Sequence, residues 1–175
     1  LLVDFDQDGD LDLYIARGGN EDKIGATSFQ DVIYVNDGRG NFTLDALSLP
    51  VFTESNAAVR ASDFDHDGDL DLFVGGRNVP FQYPKSTTSR VLKNESVKGH
   101  IKFVDATQSL AKDLINIGLI CDGIWSDYDL DGWQDLILAG EFSDIKILKN
   151  KIPVPTYGNI FMALDFGNIT NSSWE

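Results

Sequence analysis

Three nine-residue segments of this 175-residue chain carry aspartates at alternating positions. They read DFDQDGDLD at 4–12 (loop 1), DFDHDGDLD at 63–71 (loop 2) and DYDLDGWQD at 127–135 (loop 3). Aspartates at loop positions 1, 3 and 5 can bring carboxylates around one point, glycine at position 6 permits a sharp bend, and position 9 adds a further carboxylate. Position 7 offers a backbone carbonyl. This all-oxygen pattern predicts three sites for a hard divalent cation.

The ligand types narrow the choice of cation. Neither histidine nor cysteine stands at a ligand position, so the loops lack the ligands that Zn²⁺ and copper prefer. Ca²⁺ is the expected occupant of about three sites, with Mg²⁺ or Mn²⁺ as weaker candidates. An EF-hand is excluded because Ile15, Val74 or Leu138 replaces its glutamate at position 12. Since protein oxygens fill every ligand position, we expect a structural rather than a catalytic cation.

The charge distribution favours discrete sites. The chain has 28 acidic and 14 basic residues, a net charge of −14, and half of the acidic residues lie in the three loops. The rest of the chain is electrically balanced. Solvated turns are the alternative interpretation, but clustered carboxylates without a cation repel one another. The net charge argues against nucleic acid as a partner. The sequence contains no apolar window of about 18 residues, so no membrane-spanning helix is predicted.

The loops belong to a repeat of about 60 residues, because their starts lie 59 and 64 residues apart. Short apolar runs bounded by Gly, Asn, Asp and Ser recur in each unit and predict strands. Those after each loop are LYIARGG (13–19), LFVGG (72–76) and LILAG (136–140), followed by VIYVND (32–37), RVLKNE (90–95) and KILKN (146–150). Strands AAVRAS (57–62) and CDGIWS (121–126) precede loops 2 and 3, and NFTLDAL (41–47) and HIKFVDA (100–106) end the first two units.

Four strands per unit are typical of one propeller blade. The sequence therefore predicts an all-β fold, a β-propeller of four-stranded blades, with about three blades present as a fragment of a larger propeller. The predicted blades span 1–50, with an incomplete first strand, 51–112, and 113–175, which includes the start of a next blade near 169–174. The one helical turn is predicted at 109–115.

The repeated motifs resemble the FG-GAP/VCBS repeat family of calcium-loop propellers, which includes the integrin alpha-chain head. The resemblance rests on SDFDHDGDLDLFVGG, SDYDLDGWQDLILAG, RVLKNE, KILKN and FVDAT, covers nearly the whole chain, and is strongest to the bacterial secreted branch. It implies Ca²⁺ ions that tie the first strand of a blade to the second. The implied ligands are Asp4, Asp6, Asp8, Asp10 and Asp12; Asp63, Asp65, Asp67, Asp69 and Asp71; and Asp127, Asp129, Asp131, Trp133 and Asp135. Asp10, Asp69 and Trp133 would each contribute the backbone carbonyl.

The function expected from this resemblance is recognition. No nucleophile elbow, phosphate loop, dinucleotide fingerprint or zinc-protease motif occurs, and no catalytic residue is predicted. We expect a non-catalytic calcium-binding platform for adhesion to a protein or polysaccharide, outside the cell or in the periplasm, that also contacts the remaining blades of its own propeller. The alternative is a scaffold for a carbohydrate-active lyase or hydrolase. The variable connections 18–30 and 77–89 are the expected binding surface.

Two further expectations concern single side chains. His66 is expected to face solvent, because Gln7 and Leu130 stand at the same position of the other loops. Four aromatic residues are expected to cluster around loop 3, as packing between blades or as a surface for sugar or protein: Trp125, Tyr128, Trp133 and Phe142.

Overall fold

The computed structural model describes residues 1–151 and 161–164, which form twelve strands and three short helical turns. The strands are β1 (Leu2–Val3), β2 (Asp12–Ile15), β3 (Val32–Asn36), β4 (Phe42–Asp45), β5 (Ser55–Ser62), β6 (Asp71–Asn78), β7 (Arg90–Asn94), β8 (Phe103–Asp105), β9 (Leu119–Ser126), β10 (Asp135–Glu141), β11 (Lys146–Asn150) and β12 (Phe161–Leu164). The helix α1 spans Thr107–Leu110, and 3₁₀ turns span Thr27–Phe29 and Lys112–Leu114.

The strands form three four-stranded antiparallel sheets, and each sheet is built from four strands consecutive in the chain. The orders are β1-β2-β3-β4, β5-β6-β7-β8 and β9-β10-β11-β12. Up-and-down sheets of four strands that follow one another along the chain are the blades of a β-propeller. The predicted all-β propeller fold is therefore confirmed.

Two hydrophobic cores lie between the sheets. The first joins the first and second sheets, with Tyr14 and Ile33 packed in the same cluster as Leu72 and Val74. The second joins the second and third sheets and includes Phe73, which stands between Leu72 and Val74 in β6. Successive side chains of a strand point to opposite faces, so a strand buried on both faces reads as the continuous apolar run seen here.

The sequence misplaced several boundaries. The first of the runs after a loop was predicted as 13–19 but is paired only over Asp12–Ile15, and the predicted 100–106 strand is reduced to Phe103–Asp105. The helical turn predicted at 109–115 divides into α1 and the following 3₁₀ turn. The next blade predicted near 169–174 lies outside the described residues. No helix in the described part of the chain is long and apolar enough to cross a membrane.

The antiparallel topology gives the sheets two distinct ends. Loops 1, 2 and 3 each connect the first and second strands of a sheet, at what we call the aspartate end. The connections between second and third strands lie at the opposite end, and they are residues 16–31, 79–89 and 142–145. The topology thus collects the three repeated loops on one side of the molecule and the variable connections on the other.

Candidate metal centres

The three loops share one backbone conformation. Position 4 is left-handed in each, with φ of 56° at Gln7, 58° at His66 and 60° at Leu130. The glycine at position 6 also has positive φ in each loop, with 108° at Gly9, 98° at Gly68 and 94° at Gly132. A residue without Cβ adopts this conformation at little cost, so glycine here satisfies the sharp bend that the motif predicts.

The first aspartate of each loop closes the bend. In loop 2 the Asp63 carboxylate accepts hydrogen bonds from the backbone amides of Asp67 and Gly68, each at 3.1 Å. Asp4 and Asp127 accept the corresponding pairs in loops 1 and 3. The aspartate at position 5 accepts from the amide of position 7, as Asp67 does from Asp69 at 3.1 Å. These bonds hold the carboxylates of one loop close together.

Each loop brings three carboxylates to one place. One oxygen from each lies within 4.8 Å of the others, and the triplets are Asp4, Asp6 and Asp8; Asp63, Asp65 and Asp71; and Asp127, Asp129 and Asp135. The aspartates predicted at positions 1 and 3 are therefore assembled in all three loops. Position 9 joins the triplet in loops 2 and 3, whereas position 5 does so in loop 1.

The aspartates at position 9 begin the second strands and are buried in all three loops. Asp71 and Asp135 are 0% exposed, and Oδ1 of each accepts a hydrogen bond from a strand amide, from Asn94 at 2.8 Å and from Asn150 at 2.7 Å. Among the described residues, neither Oδ2 atom has a hydrogen-bond donor. A buried carboxylate oxygen without a partner is costly, so these atoms are suited to binding a cation.

In loop 1, buried carboxylate oxygens without a donor in the described part of the chain occur at position 3 and not at position 9. Both Asp12 oxygens accept hydrogen bonds, from the amides of Asn36 at 3.0 Å and Phe5 at 3.2 Å. Asp6 at position 3 is instead 3% exposed, and within the described residues neither of its oxygens has a donor. The donor set of all three loops therefore fits a hard divalent cation, with oxygens from positions 1 and 3 common to all.

The pKa values reflect the same crowding. Burial, opposed by the Asn94 amide and aided by the charges of Asp65 and Asp67, raises the pKa of Asp71 to about 7. Burial also raises the pKa of Asp135 and, together with the charge of Asp8, that of Asp6. A nearby cation would favour the charged form of each carboxylate and reverse these shifts.

The asparagine that ends each third strand is a part of the site that sequence reasoning missed. Asn94 donates through Nδ2 to the carbonyl of Phe5 in loop 1 at 2.9 Å, and Asn150 donates to the carbonyl of Phe64 in loop 2 at 2.8 Å. Each side chain thus ties its own blade to the loop of the preceding blade. The sequence signal for this contact is the recurrence of Asn in VIYVND, RVLKNE and KILKN.

Two lysines were also missed. Lys93 forms ion pairs with Asp65 and Asp67 of loop 2, the latter at 3.1 Å. Lys149 pairs in the same way with Asp129 and, at 3.1 Å, Asp131 of loop 3. The loops themselves contain no Lys or Arg, so only the pairing of the strands reveals these contacts.

Neighbouring loops contact each other through positions 4 and 7. Gln7 donates to the carbonyl of Gly68 at 3.0 Å and to the side chain of Asp69 at 2.6 Å. His66 is exposed as predicted, but its ring also stacks on Trp133 with centroids 4.3 Å apart. The three candidate centres are therefore linked into one row.

The predicted aromatic cluster around loop 3 is only partly correct. Trp125 packs between blades, with ring centroids 6.0 Å from Phe64 and 5.7 Å from Phe161. Phe142 lies at the opposite end of the sheet, where it contacts Tyr83 with centroids 5.9 Å apart. It belongs with the variable connections because β10 separates it from loop 3.

Consecutive four-stranded blades, each with an aspartate loop between its first two strands, define a β-propeller-like repeat protein. Residues 4–74 match the family model of the FG-GAP-like repeat. This match contains loops 1 and 2 and supports the FG-GAP family for this part of the chain. No curated protein matches the chain.

Proposed function

We propose that this chain is a calcium-binding β-propeller repeat domain that serves as a recognition or adhesion platform outside the cell. The calcium assignment rests on the buried carboxylate oxygens of Asp6, Asp71 and Asp135, for which the described residues provide no donor. Oxygen-only ligand sets suit Ca²⁺, and extracellular modules bind it with dissociation constants of about 10⁻⁴ to 10⁻³ M. Alone, these carboxylates would oppose folding.

The proposed ligands in each loop are the carboxylates of positions 1, 3, 5 and 9 together with the carbonyl of position 7. The cation would supply positive charge against the clustered carboxylates. Because position 9 begins the second strand and position 1 follows the first, this charge would hold the two strands together. The asparagine and position-4 contacts would then pass this rigidity to the neighbouring loop.

The recognition surface is proposed at the opposite end of the blades. Phe81, Tyr83 and Phe142 are 68%, 58% and 81% exposed there. The Tyr83 hydroxyl donates to Glu141 at 2.8 Å, and Glu141 also pairs with Arg77. Exposed aromatic rings beside fixed polar groups are suited to binding a protein or a polysaccharide. The alternative function, a scaffold of a carbohydrate-active enzyme, stays a prediction.

Thermal unfolding in excess EDTA, followed by a calcium titration with magnesium as the control, tests the calcium assignment. A cation that binds only the folded chain stabilises it by about 2.7 kcal/mol per site at a hundredfold excess over the dissociation constant. We expect a large, calcium-specific rise in Tm. An unfolding curve that is the same in EDTA and in calcium would overturn the proposal.

Recognition is tested by binding of the calcium-loaded chain to a panel of immobilised polysaccharides and extracellular proteins. Phe142→Ser is expected to weaken binding to any polysaccharide or protein of the panel that the wild-type chain binds. Leu130→Ser is the matched control, because Leu130 is 87% exposed but lies at the aspartate end. Equal losses from both variants would contradict the placement of the recognition surface.

A further inference from the structure

The three loops differ in the charge that the third strand brings to them. The asparagine amide that donates to position 9 gives a common register mark: Asn36 in the first blade, Asn94 in the second and Asn150 in the third. The residue immediately before this asparagine is Val35, Lys93 or Lys149, respectively. The same place beside the loop is therefore apolar in one blade and cationic in the other two.

The two lysines reach the same carboxylates by the same route. Lys93 contacts positions 3 and 5 of loop 2, and Lys149 contacts positions 3 and 5 of loop 3. Position 3 belongs to the triplet of close carboxylates in both loops. Each ammonium thus lies against oxygens that a divalent cation would use.

Val35 performs a different task in loop 1. It packs against the first hydrophobic core, and the adjacent loop contains Asp6, whose buried oxygens have no donor among the described residues. In loops 2 and 3 the corresponding aspartates, Asp65 and Asp129, each have a lysine partner. Among the described residues, loop 1 has three buried carboxylate oxygens without a donor, on Asp6 and Asp10, whereas loop 2 has two and loop 3 has one. Loop 1 therefore depends more strongly on an external cation than loops 2 and 3 do.

We propose that Lys93 and Lys149 are tethered counter-ions that compete with the divalent cation, so that the chain has one high-affinity calcium site in loop 1 and two weaker sites in loops 2 and 3. This inference rests on the proposed calcium binding. Binding at loop 2 or 3 must displace an ammonium from the carboxylates, whereas binding at loop 1 displaces only water. When calcium is scarce, each lysine offsets part of the negative charge of its loop.

Calorimetric titration of the chain with CaCl₂ tests this ranking. We expect one tighter and two weaker sites, with affinities about tenfold apart, from the loss of one close charge contact. Lys93→Met keeps the apolar stem but removes the charge, and it should tighten one weak site about tenfold. Val35→Lys should weaken the tight site. Lys102→Met is the matched control, since Lys102 pairs with Glu95 and not with a loop carboxylate.

Unfolding curves of Lys93→Met separate competition from a purely structural role. A counter-ion that competes with calcium predicts an effect that depends on calcium, with a lower Tm than wild type in EDTA and an equal or higher Tm in saturating calcium. A lysine that only braces the blade predicts a lower Tm in both conditions. That second pattern, with unchanged calcium affinity, would overturn this inference.

The titration also distinguishes the two proposals. If the chain has three calcium sites of equal affinity, and Lys93→Met changes none of these affinities, the counter-ion role is overturned and the proposed function stands. If no variant and no wild-type chain binds calcium, the proposed function itself fails, and the inference fails with it.

Discussion

Two buried aspartates at opposite ends of the blades provide the clearest contrast in the molecule. Asp31, in the connection before β3, is 1% exposed, and Asp71, at the aspartate end, is 0% exposed. The Asp31 carboxylate accepts hydrogen bonds from the Tyr14 hydroxyl at 2.7 Å, the Arg17 amide at 2.6 Å and the Asn56 side chain at 3.1 Å. Asp71 accepts one, from the Asn94 amide, and its second oxygen has no donor in the described part of the chain.

This difference separates two uses of the same side chain. Three donors surround Asp31, which joins the first blade to Asn56 in the first strand of the second, so this carboxylate acts as a brace between blades. Asp71 stands among other carboxylates that repel it, and its second oxygen has no donor among the described residues, so this carboxylate is placed as a ligand for the proposed cation. Burial raises the pKa of both, to about 6 for Asp31 and about 7 for Asp71. Hydrogen-bond satisfaction rather than burial distinguishes them.

The largest expected effect is the loss of calcium stabilisation in Asp71→Asn. An amide removes one charge from the cluster and is a poor replacement for a ligating carboxylate, so loop 2 should lose about 2.7 kcal/mol of stabilisation at a hundredfold calcium excess. In EDTA the variant should be at least as stable as wild type, because repulsion with Asp65 and Asp67 is relieved. Thermal unfolding in both conditions measures this crossover. Equal stabilisation of both chains by calcium would contradict it.

The same substitution at Asp31 should have the opposite character. Asp31→Asn replaces one of the two accepting oxygens by an NH₂ group, which cannot accept a hydrogen bond. At least one of the three buried donors then loses its acceptor, which should destabilise the fold by about 1–3 kcal/mol. The stabilisation by calcium should be unchanged, because Asp31 lies at the other end of the blade. Urea unfolding with and without calcium gives both quantities. A loss of calcium response would show that the two ends are energetically coupled.

The sequence could predict the aspartate end far better than it could predict Asp31. The loops repeat three times and their ligand spacing is local, so their residues could be named without tertiary structure. Asp31 has no motif, and its three donors come from positions 14, 17 and 56. Lys93 was missed for a related reason: it is distant from loop 2 along the chain, and only the pairing of β6 with β7 brings it to the loop. A residue that recurs in the repeat can mark such a contact, but its partner is fixed only by the pairing of distant segments.

A smaller effect is expected in the pH dependence of stability. The pKa of Asp31 is about 6 in the folded chain and about 3.9 when unfolded, so the folded state favours the protonated form. Its contribution to stability is therefore full below about pH 4 and is lost as the pH rises through 6. The stability advantage of wild type over Asp31→Asn should be larger at pH 4.5 than at pH 7.5. Urea unfolding of both chains at the two pH values measures it, and an advantage independent of pH would contradict the raised pKa.

The smallest expected effect concerns the contact between loops. His66→Ala removes the ring that stacks on Trp133 and should destabilise the chain by about 0.5–1.5 kcal/mol. Leu130→Ala is the matched control, because Leu130 occupies the same loop position, has φ of 60° against 58°, and is 87% exposed. Alanine keeps a Cβ in both variants, so the backbone strain of the left-handed position cancels and only the side-chain contact differs. Equal changes in Tm for the two variants would mean that stacking between loops 2 and 3 adds nothing to stability, and that the row of loops is coupled, if at all, through the backbone and the contacts of Gln7.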